Sequence, residues 1–137
     1  MLKRLGIAQF IACLIRHVER RTGLRCYDDP DGMPSPFYAV QLLKSEPSDT
    51  KTMFVDSYDV WFHCIAEPRR PHSNAPVLKL VQSIEEAMTE DIAVPDGFTL
   101  IGQTYNGLQT LKTDESDEGH AVLSYRFRVC YGLRCKQ

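Results

Sequence analysis

Apolar and polar positions follow two periods along this chain, and the places where the period changes mark its elements. From Leu2 to Arg21 the period is helical. At 100° per residue Ile7, Phe10, Ile11, Leu14 and Val18 share one side, with Gln9, Arg16 and Arg20 opposite. Gly23 supplies the stop, because a residue without Cβ closes a helix at little cost. "LRCYDD" then reads as a short strand and "PDGMPSP" as a turn enforced by Pro and Gly. Phe37 to Leu43 ("FYAVQLL") reads as a second strand, "KSEPSDTK" as a polar loop, and roughly Thr52 to Ala66 as a long strand.

The helical period returns after the loop "EPRRPHSNAP", where Asn74 is the expected N-cap ahead of Pro76 in the first turn. Helix two is expected over Ala75 to Ala93. Val77, Val81, Ile84, Met88 and Ile92 form its apolar stripe, and Lys79, Gln82, Glu86 and Glu90 face away. In "FTLIGQTYNGLQTLK", Asn106-Gly107 between alternating runs is the strongest short hairpin signal, so a turn is predicted there. The acidic loop "TDESDEG" leads to "HAVLSYRFRVCYG". There Ala121, Leu123, Tyr125, Phe127, Val129 and Tyr131 alternate with Ser124, Arg126 and Arg128, giving one buried and one wet face.

The order is therefore α-β-β-β-α-β-β, with a further strand if the hairpin forms. It predicts a single α+β domain over residues 1–137: an antiparallel or mixed sheet of four to six strands, with two helices packed on one face. Phe10, Leu14, Tyr58, Val60, Phe62, Ile84, Met88, Leu123, Tyr125 and Phe127 are the expected core.

Composition narrows the picture. At 137 residues the chain can bury a core without metals or disulfides. A net charge of -2 argues against a protein that coats nucleic acid, and no sequence-specific nucleic-acid partner is expected. The odd count of five cysteines, with no CxxC pair, suits reduced thiols better than a disulfide framework. The start imitates a signal peptide through Lys3, Arg4 and the apolar run to Ile15. However, Gln9 interrupts that run, and the helical period explains it better. No stretch approaches a membrane span, and no membrane partner is expected.

The run "DVWFHCIA" carries the first chemical question, since His63, Cys64 and His72 lie within ten positions. On a strand, neighbours point to opposite faces, so His63 and Cys64 cannot share an ion without a bulge. Tyr58, Val60, Phe62 and Cys64 line one expected face; Ser57, Asp59, Trp61, His63 and Ile65 line the other. The reading is a core strand, with no metal and no cofactor expected. "DDPDG" fails as a calcium loop, because Gly32 at loop position six would put Tyr27 and Tyr38 where carboxylates are required. Asp114, Glu115, Asp117 and Glu118 lack the rigid setting that paired catalytic carboxylates need, and read as a solvated loop or an acidic partner surface. Arg69-Arg70 between prolines is a stiff basic loop, either an interface or solvated. GxGxxG, P-loop, GxSxG and HExxH are all missing, and no enzyme is expected.

The element order carries more than any motif. A leading amphipathic helix precedes "LRCYDDPDGMPSPFYAVQL", with a proline directly before Phe37-Tyr38. The long strand "YDVWFHCIA", the loop "EPRRPHSNAP", a helix and "AVLSYRFRV" follow. This order resembles the tail completion or tail terminator proteins of long-tailed bacteriophages and prophages, and the related head-tail joining proteins. The resemblance implies a non-enzymatic structural protein that forms a ring, commonly a hexamer, at the head-proximal end of the tail tube. Its partners would be its own copies, the tail tube protein and head connector proteins. Its place would be the host cytoplasm during assembly and then the virion tail. Arg69 and Arg70, with Asp114, Glu115, Asp117 and Glu118, are the expected interface residues, because loops of opposite sign favour head-to-tail contacts over symmetric pairing.

Two other readings share the fold. One is a minor capsid or connector subunit. The other is a small intracellular module, binding a ligand or a protein, whose half-covered sheet face around Trp61 is the site.

Overall fold

The computed structural model describes residues 1–69, 73–114 and 117–134. Its elements, in chain order, are α1 (Ile7–Thr22), β1 (Cys26–Tyr27), β2 (Phe37–Pro47), β3 (Met53–Ile65), α2 (Ala75–Ala87), β4 (Thr99–Thr113) and β5 (Gly119–Leu133). The strands form one five-stranded sheet in the order β1-β2-β3-β5-β4. β1 runs parallel to β2, and the other pairs are antiparallel. The fold is α+β with a mixed sheet, as the periodicity predicts.

Both helices lie on one face because each sheet strand presents its apolar set there. Tyr38 and Val40 of β2, Tyr58, Val60, Phe62 and Cys64 of β3, and Leu123, Tyr125 and Phe127 of β5 share one core with Phe10, Leu14, Ile84 and Met88. All ten residues expected in the core belong to it. Three tyrosines on that face use their polar tips to hold what lies above them. The hydroxyls of Tyr38, Tyr58 and Tyr105 donate to Leu80 O at 2.7 Å, Leu5 O at 3.0 Å and Glu85 Oε2 at 2.8 Å. Burying the hydroxyls of Tyr38 and Tyr58 without a partner would be costly, so their bonds position α2 and the segment ahead of α1 as well as filling space.

Several boundaries differ from the sequence reading. α1 begins at Ile7, not Leu2. The residues before it have no regular structure and are held by buried Leu5 and by an ion pair from Arg4 Nε to Asp56 Oδ2 at 3.4 Å. Gly23 does close α1, with φ 77° and its N–H on Glu19 O at 3.0 Å. At α2 the capping oxygen is Ser73 Oγ, which accepts from Ala75 N–H at 3.1 Å, whereas the Asn74 side chain makes no cap bond. α2 stops at Ala87, not Ala93. Met88 and Ile92 stay buried because Gln103 reaches across from β4: its Nε2 donates to Met88 O and Glu90 O, and its Oε1 accepts from Ile92 N–H. β2 continues to Pro47, through residues expected in a loop.

The largest correction concerns Asn106-Gly107. No hairpin forms there. β4 runs unbroken from Thr99 to Thr113 beside β5, and Gly107, with φ 103°, sits at a register shift between Tyr105 and Gly107. The left-handed glycine makes a bulge inside a long strand in place of a turn between two short ones.

Candidate functional site

Strand β3 puts Cys64 and His63 of "DVWFHCIA" on opposite faces of the sheet. Cys64 points into the helix-covered core with no exposure, and burial pushes its thiol well above the usual range, so it is a poor nucleophile. His63 points to the opposite, helix-free face. There Nδ1 lies 2.8 Å from His120 Nε2, and Nε2 lies 2.8 Å from Gln41 Oε1. An amide oxygen only accepts, so His63 Nε2 carries the hydrogen, and Nδ1 accepts from the His120 Nε2–H. Burial, then the neighbouring His120 and Lys112, lower the pKa of His63. Burial and Lys112 also lower that of His120, against the pull of Asp114 and Glu118. Among the described residues no group of three or more His, Cys, Asp or Glu is arranged to hold a metal ion.

This histidine pair floors a shallow open-face groove of about 370 Å³, bordered by Phe37, Ile65, Asp28, Asp114 and Glu118. Trp61, half-buried one step along β3, makes an edge contact with His63 at 6.2 Å between ring centres. Sequence reading placed Trp61 and His63 on this face but could not bring His120 or Gln41 to them. That needs the register, which pairs His120 with Ile65 and Gln41 with Trp61.

The two charged loops share one end of the sheet. β3 ends at Ile65 opposite His120, near the start of β5, and Ala66 N–H donates to Gly119 O at 2.9 Å. Arg69, on the exposed loop leaving β3, and Asp114, Asp117 and Glu118, on the loop entering β5, therefore occupy the same end. Arg70 and Glu115, and also His72, lie outside the described residues. The acidic loop is internally braced: Asp114 N–H donates to Glu118 O at 3.0 Å, and Asp114 Oδ1 accepts from Glu118 N–H at 3.1 Å. Opposite signs at one end make a mixed-charge surface.

The opposite end holds the β2–β3 connection and the start of the chain. There Arg134 donates to Thr50 O, and Arg4 donates to the Tyr131 hydroxyl. Helices cover one face and charged loops lie at one end, while the helix-free face, the opposite end and the two sheet edges stay uncovered by helices.

A family profile described as "Putative tail termination protein" matches residues 1–137. The chain belongs to the phage tail terminator family. A chain of a solved structure titled "Virion of native gene transfer agent (GTA) particle" has the same fold, with a TM-score of 0.57 and 20% identity over 82% of this chain and 84% of that one. No curated protein matches. Membership makes this a structural protein of phage tails. Membership places its role in the termination of phage tails.

Proposed function

We propose that this tail terminator forms a closed ring at the head-proximal end of the tail tube. There it stops tube growth and offers the surface to which a filled head attaches. The observation that carries this reading is the family match along the whole chain, 1–137. The layout of the fold supports it. A five-stranded sheet backed by two helices is a stiff wedge, and a ring needs wedges that meet through two different lateral surfaces. The mixed-charge end, which carries Arg69, Asp114, Asp117 and Glu118, is then the surface offered along the ring axis to a tube or head protein. Polar contacts of that kind set orientation and encounter rate more than raw affinity.

The test reverses both arginines, Arg69→Glu with Arg70→Glu, and measures tail-tube length and head joining in lysates. Over-long tubes, or finished tails without heads, support the assignment of this end. Normal virions at unchanged titre remove these loops from the mechanism.

A further inference from the structure

The two edges of the sheet differ, and they fit each other. β4 is the outermost strand on one side and, among the described residues, has no partner beyond it. Natural sheets blunt such edges with charge or proline. The twelve residues "LIGQTYNGLQTL" of Leu100 to Leu111 contain neither. Leu108 and Leu111 stand 44% and 38% exposed on this edge strand. At the other side β1 pairs with β2 at Tyr38 and Ala39, and among the described residues no strand covers the outer edge from Gln41 to Pro47. A groove lined by Ile7, Ile11, Val40 and Leu42 runs beside it, with Ile7 51% exposed.

We propose that β4 of one copy adds to the bare edge of β2 in the next, so that one sheet continues around the ring. Three features of the structure carry this. The first is polarity: β3 opposes β2, β5 opposes β3 and β4 opposes β5, so β4 runs opposite to β2. Copies set side by side in the same orientation therefore pair antiparallel.

The second is height. Val40 pairs with Phe62, Phe62 with Leu123, and Leu123 with Leu108. Val40 and Leu108 thus occupy one row, and subunits of a closed ring share one height, so Leu100 to Gly107 run along the uncovered Gln41 to Pro47 and Leu108 reaches the end of that stretch beside Val40. The third is the face. Val40, Phe62 and Leu123 belong to the helix-covered core, so Leu108 arrives on the same side as the groove beside Ile7 and Ile11. Main-chain hydrogen bonds supply the joint, and the leucine in its groove supplies the register. The inference rests on the ring reading and places its lateral contacts on the edges, away from the charged loops.

Two full-length variants test it, each altered only at exposed side chains. One carries Leu108→Lys and Leu111→Lys, and the other carries Ile7→Glu and Leu43→Lys. Melting curves matching the parent establish that both fold. Assembly is measured by sedimentation at high protein concentration and by electron microscopy on isolated tail tubes. The parent is expected to form rings and each variant alone to stay monomeric. An equimolar mixture should stop at dimers, since it holds one intact edge of each kind. Rings from either variant, or a mixture that remains monomeric while the parent closes, overturn the edge pairing and leave the ring standing. A parent that forms no ring even at tube ends overturns the ring itself.

Discussion

The ring of Phe10 in α1 stacks on the ring of Tyr58 in β3, with centroids 4.0 Å apart and planes 16° apart. This contact fastens the first helix to the centre of the sheet, and Phe127 of β5 meets the same Phe10 edge-on at 5.4 Å. Phe10→Ala is expected to cost on the order of 3–5 kcal/mol, the usual penalty for emptying a buried aromatic site, and Phe62→Ala a similar amount. Tyr58→Phe keeps the stack but strands the carbonyl of Leu5, at about 1–3 kcal/mol. Urea denaturation midpoints check all three. A change below about 1 kcal/mol for Phe10→Ala would remove this stack from the core.

Acid should weaken the fold through His63 and His120. Both have folded-state pKa values below the ordinary histidine value of 6.5, mainly because burial disfavours the charged ring. The unfolded chain then binds more protons, so stability is full above 6.5 and falls as pH drops below it toward the lowered folded values. A second proton on the pair would also set N–H against N–H across 2.8 Å. Melting temperatures from pH 7.5 to 5 should fall for the parent, and the fall should be smaller for His120→Gln. Equal slopes would contradict the pairing.

Gly119 marks where the charged end meets α2. A Cβ built there would lie 3.0 Å from Val77 Cβ and 3.2 Å from its Cγ1. Gly119→Ala should therefore destabilise by about 1–3 kcal/mol through overpacking. Val77→Ala should recover part of that loss in the double variant, and a cycle of denaturation measurements reads the coupling. Strict additivity of the two changes would show that the residues do not touch.

The parts of this structure that were legible in sequence are those set by local period. α1, α2 and the faces of β3 and β5 follow directly from spacing, because a helix or strand with one buried side must repeat its apolar residues. What escaped depends on partners distant in the chain. Asn106-Gly107 has the chemistry of a tight turn, yet the pairing of fifteen-residue β4 with equally long β5 absorbs it as a bulge. The apolar stripe of α2 continues to Ile92 although the helix ends at Ala87, because Gln103 of β4 satisfies the backbone in between. The two charged loops were visible as charges, but only the Ile65–His120 register puts them at one end. His63 was visible as a wet-face residue, while its bond to His120 spans 57 positions and leaves no local trace.

The most direct test of the terminator role is the tail itself. Lysates from a phage or prophage lacking this gene should be imaged beside lysates in which the intact gene is restored. The account predicts tubes longer than the parental length, or tails without heads, with normal length and joined heads returning on complementation. Normal virions of parental length in the complete absence of the gene would contradict it.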